Sequence, residues 1–316
     1  MDCLFVSVII PNYNHARYLD ERIQSVLNQT YQNFEVIILD DRSTDNSLEV
    51  INKYKNDAHI SCIVVNEENS GSPFKQWHKG FDLAKGDLIW IAESDDKCDK
   101  DFLKTLIGFF IQEGRCALAY TDSVVFSDND GSLVYPHEEK QSEVLPGKDF
   151  IMQRMICDDH MAMPILNVSS VLFRKSIALE IDRQYMDYRG AGDRLFWLEM
   201  SEQGYVGIDY HKLNYCRFHT NNSTKRNYYE GINQREDFRT LNYIKDRGYV
   251  SEKQYNRIKY NYVRWNVVSS KLSSKHRIEV LKLWNLRPSD LFEIILVNIY
   301  DILKYKVGQL KDSFIK

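Results

Sequence analysis

The stretch VSVIIPNYNHARYLDERIQSVLNQTYQNFEVIILDDRSTDNS, residues 6–47, decides the fold class of this chain. Residues 6–10 and 35–39 are short apolar runs rich in β-branched residues, and polar residues bound both runs, which is typical of buried strands. Between them, Tyr18 to Leu27 carries apolar residues at helical spacing. The stretch therefore predicts a β-strand, an α-helix and a second β-strand, which is the unit from which parallel sheets are built.

The same alternation continues beyond residue 47, and it indicates an α/β fold whose mainly parallel sheet is covered by helices. After about Tyr228 the chain is rich in Tyr, Lys and Arg, and its pattern is helical without a return to strands. We therefore place a domain boundary near this residue. The predicted helices cover residues 47–55, 74–84, 101–111 and 194–203, and the predicted strands cover residues 60–65, 87–92, 117–127, 169–174 and a short segment that ends at Cys216.

The composition indicates a folded protein in a reducing compartment. The chain has 316 residues, of which 43% are hydrophobic, so it can bury one large core. Its six cysteines include no CxxC pair, which argues against a disulfide framework and a structural zinc site. The first apolar run ends at Pro11 and is too short for a signal peptide, and no run of about 18 uncharged apolar residues occurs. We therefore expect a cytoplasmic protein that does not span a membrane.

The C-terminal region is basic, although the net charge of the whole chain is −4. From Lys245 to the end there are 15 Lys and Arg against 7 Asp and Glu. Within this region, Ser289 to Lys316 places apolar residues among lysines, and this mix predicts an amphipathic helix. Such a helix packs on the catalytic domain or on a second subunit, or it lies on an anionic membrane surface. The sequence leaves both alternatives open.

Polar segments follow the first four predicted strands, and ligands of such sheets bind beyond the carboxyl ends of the strands. In the last of these segments, Glu93, Asp95 and Asp96 directly follow the apolar run LIWIA. Carboxylates at a strand end can hold magnesium or manganese and so bridge to the diphosphate of a substrate. The alternative is that Asp96 or Asp99 caps the helix that begins near Asp101.

Further acidic residues and one histidine could also carry chemistry. Asp40 and Asp41 follow the run VIIL and can accept hydrogen bonds from a base or a ribose. The alternative is that Ser43 or Asp45 caps the next helix and Asp40 is solvated. Asp193 follows two glycines at a predicted helix start, where it could act as a general base or cap the helix. His219 follows a short strand, and most lone histidines of this kind are structural.

Taken in their order and spacing, these segments resemble the family 2 glycosyltransferases, which are inverting enzymes with the GT-A fold. This is a Rossmann-like fold of nucleotide-diphospho-sugar transferases, and the resemblance covers roughly residues 4–225. The metal-binding DxD element of the family corresponds here to Ser94-Asp95-Asp96. The segments that carry the resemblance are residues 6–47, GFDLAKGDLIWIAESDD (80–96), AGDRLFWL (191–198) and RFHTNNST (217–224).

The resemblance implies a nucleotide site in the first half of the catalytic domain. Pro11, Asn12 and Tyr13 match positions that line the nucleotide pocket. Asp41 matches the residue that holds the base, and Asp40 is expected close by.

The resemblance also implies the metal ligands and the catalytic base. Asp95 matches a residue that faces the ribose and the metal, and Asp96 matches the principal ligand of a manganese or magnesium ion on the donor diphosphate. Asp193 matches the catalytic base. His219 matches a loop histidine that contacts the metal or the diphosphate.

Two positions depart from the family pattern, and both bear on donor preference. His78 stands where many relatives have Asn, and Gly192 stands where an acid often precedes the catalytic one. The domain organisation that follows is a catalytic domain over residues 1–227 and a helical region over residues 228–316, and the catalytic domain consists of a nucleotide-binding half (1–98) and an acceptor-binding half (99–227).

The function implied by the resemblance is transfer of a hexose-type sugar from a nucleotide-diphosphate donor, by preference a UDP-sugar, to a saccharide acceptor. The bacterial context implied is the synthesis of capsule or lipopolysaccharide O-antigen, with a lipid-linked acceptor, at the inner face of the cytoplasmic membrane and without nucleic acid as a partner. A nucleotidyltransferase is one alternative, but PNYNHARY is not the Gly-rich, basic phosphate loop that it requires. A non-catalytic sugar-binding protein is the other.

Overall fold

A computed structural model describes residues 4–128, 131–133, 140–219, 223–297 and 299 of the chain. The described residues fall into two compact units. The first unit is drawn from Met1–Met155 and Met163–Asn222, and the second from Ile156–Ala162 and Ser223–Lys316. The boundary at residue 222 lies five residues before the predicted one, and the assignment of residues 1–98 and 99–227 to nucleotide and acceptor stays a prediction.

The predicted strand, helix and strand at the start of the chain are present. β1 (Val6–Asn12) and β2 (Phe34–Asp40) pair in parallel, and α1 (Ala16–Leu27) connects them. Every residue of both strands is buried, as in parallel strands that are covered on both faces. One face of β1 and the apolar stripe of α1 belong to one buried hydrophobic cluster, which includes Val6, Val8, Ile10, Leu19, Ile23 and Val26.

The opposite face of β1 is covered by α3 (Pro73–Leu83). Here a Cβ atom on Gly80 would come within 2.7 Å of the side chain of Ile9, so glycine allows the helix to approach the strand closely. The two faces of β1 are therefore both covered by helices.

One mixed sheet runs through the first unit. The order of its main path is β3-β2-β1-β4-β9-β6-β10-β5, and β7 and β8 pair with β6 and β10. Its other strands are β3 (Ile60–Val65), β4 (Leu88–Ile91), β5 (Lys97–Cys98), β6 (Cys116–Ser127), β7 (Gly131–Leu133), β8 (Glu143–Pro146), β9 (Val171–Arg174) and β10 (Tyr205–Arg217). The other helices of this unit are α2 (Ser47–Asn52), α4 (Phe102–Gln112), α5 (Gly147–Phe150), α6 (Lys175–Glu180) and α7 (Gly192–Glu202), with shorter helical turns at Ile151–Met155, Val168–Ser170 and Arg183–Asp187.

The sheet is less uniformly parallel than the sequence predicts. The first four strands pair in parallel, but β9 lies between β4 and β6 and is antiparallel to both. The direction of a strand is set by the path of its connections and not by its side-chain pattern. The apolar run of β9 therefore predicts a buried strand but does not predict its direction. β6 and β10 are parallel to each other, which brings the end of β10 to the end of β6.

In the second unit, the described residues from Ser223 onward are mainly helical. It contains α8 (Ser223–Tyr229), α9 (Ile232–Asp246), α10 (Glu252–Val263) and α11 (Ser274–Trp284), with a π-helical turn at Arg264–Val268 and a further helical segment over residues 288–297. Trp284 is buried, stacks on Tyr262 at 4.2 Å between ring centroids, and donates its indole N–H to the carbonyl of Gln234 at 3.0 Å. This confirms the helical character predicted beyond residue 228.

Within the described ranges, no helix combines the length and the apolar composition that a membrane span requires. The five cysteines that the structure describes, Cys62, Cys98, Cys116, Cys157 and Cys216, are free thiols.

Candidate active site

The candidate site lies at the carboxyl ends of β1 and β4, which are parallel neighbours. β4 ends at Ile91, and Glu93, Ser94, Asp95 and Asp96 follow in the turn before β5. The loop between β1 and α1 leaves the sheet at the same edge, because neighbouring parallel strands end on one side. The polar segments singled out in the sequence therefore meet at one edge of the sheet.

Three side chains at this edge form a group that could hold a metal ion. One potential ligand atom from each of His15, Asp95 and His219 lies within 4.8 Å of the other two. His15 comes from the loop after β1, Asp95 follows β4, and His219 follows β10. The ring of His219 donates from Nε2 to Oδ2 of Asp95 at 3.0 Å. One carboxylate and two imidazoles are a donor set that divalent transition metals accept, so these residues fit the metal expected from the sequence.

Burial and neighbouring charges shift the pKa values of Asp95 and His15. Burial alone would favour the neutral acid at Asp95, but the hydrogen bond from His219 and the charges of His15 and His219 outweigh it and hold the pKa of this carboxyl below its usual range. Burial also lowers the pKa of His15, and the nearby carboxylate of Asp95 offsets this only in part. Both shifts favour an ionised carboxylate beside a neutral imidazole, which are the protonation states that a metal ion requires.

Asp96 lies next to this group in sequence but has a different environment. Its side chain is 2% exposed, and its carboxylate accepts hydrogen bonds from the hydroxyl of Ser169 at 2.7 Å and from the backbone N–H of Arg217 at 2.9 Å. The buried guanidinium of Arg22 lies 3.8 Å away. Burial and the charge of Asp95 raise the pKa of Asp96 to about 6. The oxygens of Asp96 are engaged by protein groups, while Asp95 lies beside the histidines. The role of Asp96 as the principal metal ligand stays a prediction.

Arg217, which sequence reasoning missed, fastens the acidic turn to the end of β10. Its Nε donates to the backbone carbonyl of Asp95 at 2.8 Å, and the rest of its guanidinium is paired with Glu21 and Asp128. The guanidinium also lies over the ring of Tyr18, 4.7 Å from its centroid. The sequence did contain a signal for this role, because Arg217 lies two residues before His219, the histidine that matches the metal-binding loop of the family.

Glu93 is the other acid of the turn, and it links the turn to α3. It accepts a hydrogen bond from the indole N–H of Trp77 at 3.0 Å. Burial, together with the charge of Asp95, raises the pKa of Glu93 to about 8, so the neutral acid is favoured near pH 7. Glu93 is therefore a structural hydrogen-bonding group of the turn.

Among the residues predicted to bind the nucleotide, Asp40 and Asn12 are structural neighbours in the sheet. Asn12 lies opposite Asp40 in the register of β1 and β2, and its amide donates to Oδ2 of Asp40 at 2.8 Å. The other oxygen of Asp40 accepts the backbone N–H of Ser43 at 2.9 Å. Asp40 is fully buried, so it orders the loop after β2. Pro11 is buried in β1, whereas Tyr13, which directly follows β1, is 47% exposed.

Asp41 is surrounded by donors from the loop that follows β3 and from α3. Its carboxylate accepts hydrogen bonds from the amide of Asn66 at 2.6 Å, from both the backbone N–H and the hydroxyl of Ser70 at 2.8 Å, and from the amide of Gln76 at 2.9 Å. Four donors use the acceptor capacity of a carboxylate. Base recognition by Asp41 stays a prediction, and it requires that a base N–H replace one of these donors.

Asp193, the predicted base, lies in the first turn of α7 and is half-buried. Its Oδ1 accepts the backbone N–H of Arg194 at 2.9 Å. The N-cap position is Ala191, so Asp193 does not take the N-cap role that was the alternative. A carboxylate in the first turn is stabilised by the helix dipole.

Gly192 has a packing role at the start of α7. A Cβ atom there would come within 2.7 Å of the carbonyl of Tyr185 and 2.8 Å of the ring of Phe74. Phe74 in turn packs edge-on against Trp77, the partner of Glu93. A chain of aromatic contacts therefore connects the start of α7 with the acidic turn.

His78, the other departure from the family pattern, lies in α3 and is 6% exposed. Its Nδ1 is 3.2 Å from the hydroxyl of Tyr185. Burial lowers the pKa of His78. This histidine therefore contributes to the packing of α3.

The sequence model of the family "Glycosyl transferase family 2" matches residues 7–169, which is half of the chain. The chain belongs to glycosyl transferase family 2. The match includes β1 to β4 and the acidic turn, and it ends before α7 and the loop that carries His219. The family is one of glycosyl transferases by its description.

Curated relatives are similar over parts of their length. A putative teichuronic acid biosynthesis glycosyltransferase, TuaG of Bacillus subtilis, is 29% identical over 203 residues, which are 64% of this chain and 73% of the relative. Other curated relatives are matched over less, one over 48% and another over 18% of its own length.

Solved structures share the fold. Staphylococcus aureus TarS (residues 1–349) in complex with UDP-GlcNAc has a TM-score of 0.56 at 18% identity and is matched over 88% of this chain and 70% of that chain. A mannosyltransferase from Pyrobaculum calidifontis, in complex with GDP-Man and Mn²⁺, has a TM-score of 0.56 at 13% identity and is matched over 96% of this chain and 83% of that chain. At these identities the likeness concerns the fold alone, and it agrees with the GT-A fold predicted from the sequence.

Proposed function

We propose that this family 2 chain is an inverting, metal-assisted hexosyltransferase that uses a UDP-sugar as its donor. The observation that carries the proposal is the 3.0 Å contact between His219 and Asp95 at the carboxyl end of β4, beside the loop after β1. That edge is where the family resemblance places the donor. The UDP-GlcNAc bound by TarS, a protein of the same fold, supports uridine as the nucleoside of the donor.

Asp95 and His219 are the residues that would hold the ion, with manganese favoured by the nitrogen ligand and by the Mn²⁺ complex of the Pyrobaculum mannosyltransferase. When bound there, a divalent ion supplies positive charge next to the leaving diphosphate. Arg217 holds the backbone of Asp95 in place, and Asp96 anchors the other side of the same turn through Ser169. The protein thus fixes the ligand carboxylate before the donor arrives, which lowers the cost of organising the site.

Asp193 is proposed as the general base that removes the proton of the acceptor hydroxyl. Its position in the first turn of α7 limits its movement, and its half-buried carboxylate can accept a proton. A single displacement with the base opposite the leaving group inverts the anomeric centre. Tyr13, exposed at the end of β1, and Asp41 are proposed to contact the nucleoside, and Asp40 and Asn12 keep the two strand ends together.

We further propose that the acceptor is a growing bacterial surface polysaccharide, such as capsule or lipopolysaccharide O-antigen, carried on a lipid. The printed role of TuaG in teichuronic acid biosynthesis supports a surface polymer. The C-terminal unit supports a lipid surface, since the helical segment 288–297 and residue 299 present apolar side chains to solvent at helical spacing. These side chains are Phe292, Ile295, Leu296 and Ile299. The protein would then work at the inner face of the cytoplasmic membrane.

The proposal is tested with the full chain and a panel of nucleotide sugars, by measuring release of nucleoside diphosphate with and without Mn²⁺. We expect one UDP-sugar to be hydrolysed well above the rest, and the release to require the added ion. An Asp95→Asn variant serves as the matched negative control, with His211→Ala as a site-remote control. Release of sugar phosphate instead of nucleoside diphosphate, or no turnover of any donor, would overturn the proposed reaction.

A further inference from the structure

We infer that His15 is a third protein ligand of the metal, so that the site is a His–Asp–His set that selects transition-metal ions over magnesium. This inference rests on the proposed metal-assisted transfer and deepens it. The residues expected from the family resemblance do not include His15. It lies at the end of the loop between β1 and α1, a part of the chain expected to bind the nucleotide.

The first argument is distance. One ligand atom each from His15, Asp95 and His219 lies within 4.8 Å of the other two. Nitrogen and oxygen ligands bind an ion such as zinc at about 2.0–2.2 Å, so two ligands of one ion lie up to about 4.4 Å apart. A small side-chain rotation is therefore enough to bring all three atoms onto one ion. The rings of His15 and His219 already pack in a T-shaped arrangement, with their centroids 5.7 Å apart.

The second argument is the hydrogen bond on the other side of the His15 ring. Nδ1 of His15 lies 2.8 Å from the hydroxyl of Ser94, the residue next to Asp95. When Nδ1 carries the proton and donates it to this hydroxyl, Nε2 keeps its lone pair for a metal. Metal-binding histidines commonly donate their second ring nitrogen in this way, and the partner fixes both the tautomer and the ring orientation.

The third argument is that the backbone of His15 is held from both sides. Its carbonyl accepts the first hydrogen bonds of α1, from the N–H groups of Tyr18 and Leu19 at 2.9 and 3.0 Å. The preceding residue, Asn14, has a positive φ of 57°, and its side-chain oxygen accepts the backbone N–H of Thr44 at 2.7 Å. The loop after β1 is thus tied to the loop after β2. This places His15 in a defined position before any ligand binds.

The chemical consequence concerns which ion is bound. Imidazole nitrogens favour transition-metal ions, whereas Mg²⁺ prefers oxygen ligands and retains its waters. A second imidazole therefore raises the affinity for Mn²⁺ and Co²⁺ and leaves that for Mg²⁺ little changed. Removing His15 is expected to lower the ratio of Mn²⁺ to Mg²⁺ affinity.

The experiment measures metal binding by the full chain, with and without UDP, and does not depend on turnover. Mn²⁺ binding is titrated by EPR, and ¹⁴N couplings from pulsed EPR count the imidazoles on the bound ion. His15→Ala and His219→Ala are compared with His211→Ala, a matched histidine whose Nδ1 lies 2.8 Å from a carboxylate oxygen of Asp209 but is outside this group. Ser94→Ala tests the ring orientation.

We expect two imidazole couplings in the parent and one in each of His15→Ala and His219→Ala. Mn²⁺ affinity should fall by roughly tenfold or more in His15→Ala and by a smaller factor in Ser94→Ala. The affinity for Mg²⁺ should change far less in both variants. If His15→Ala shows the same imidazole couplings and the same Mn²⁺ affinity as His211→Ala, the inference is overturned. Metal binding through His219 and Asp95 would still stand. Absence of Mn²⁺ binding by the parent, with or without UDP, would overturn the proposed metal-assisted function and the inference together.

Discussion

The backbone N–H of Arg217 donates a hydrogen bond of 2.9 Å to Oδ1 of Asp96, across 121 residues of sequence. The side chain of the same arginine donates to the carbonyl of Asp95 at 2.8 Å. One residue at the end of β10 therefore fixes two successive acids after β4. As a result, Asp96 becomes an internal anchor and Asp95 is left beside His15 and His219.

Asp96→Ala is expected to destabilise the protein. The change leaves the buried guanidinium of Arg22 and the N–H of Arg217 without their carboxylate, and loss of one partner of a buried pair costs about 3–5 kcal/mol. Urea denaturation measures the change in the free energy of unfolding. Asp187→Ala, at an exposed aspartate, is the control and should stay within about 0.5 kcal/mol of the parent. A fully stable Asp96→Ala variant would contradict the anchoring role.

Asp95→Asn is expected to abolish metal-dependent transfer with the fold retained. The amide removes the charge that faces His15 and His219, and an ion on the donor diphosphate contributes several kcal/mol, which corresponds to a loss of about 100-fold or more in rate. The rate of transfer is measured in saturating Mn²⁺, and the parent in excess chelator should show a comparable loss. Full turnover by the parent in chelator would remove the metal from the proposed mechanism.

Asp193→Asn is expected to lower the rate of transfer by about 100- to 10,000-fold, because the amide keeps the shape of the side chain but cannot accept a proton. Donor binding, measured by calorimetry with UDP, should change little, since the first turn of α7 is kept. A rate within a few-fold of the parent would show that another group takes the proton.

Gly192→Ala is expected to destabilise the protein by about 1–3 kcal/mol, because the new methyl group meets the carbonyl of Tyr185 and the ring of Phe74. Gly108→Ala is a matched control inside α4, where a Cβ atom meets nothing within 4 Å. That control should gain about 0.5–1 kcal/mol, since alanine is the better helix former. Thermal and urea unfolding report both values, and equal effects of the two changes would contradict the close packing at Gly192.

Truncation before Pro288 is expected to weaken sedimentation with anionic vesicles at low salt. The removed segment contains the exposed Phe292, Ile295, Leu296 and Ile299, and each well-placed Lys or Arg contributes about 1 kcal/mol of attraction to anionic lipid. High salt should reduce the binding of the full-length chain. Equal vesicle binding by both forms would assign this apolar side to packing against protein instead.

The sequence by itself determined the architecture of the first half and the edge of the sheet that carries the candidate site. The strand runs, the apolar stripe of α1 and the polar segments after the strands can be predicted because they depend on the local spacing of apolar and polar residues. Because parallel strands end at one edge of a sheet, their loops had to converge there. The direction of β9 was not available from such a pattern, since a buried run looks the same in either direction.

Only the tertiary structure decided which of two adjacent aspartates faces the histidines. Asp95 and Asp96 are the same residue type at successive positions, and they differ through Ser169, Arg22 and Arg217, whose sequence distances from the turn are large. In the sequence, nothing distinguishes His15 from other loop histidines. The pairing of β1 with β4 in the folded chain brings it next to Asp95. Side-chain charge state and ligand geometry depend on these long-range neighbours, because burial and charge act through space and not along the chain.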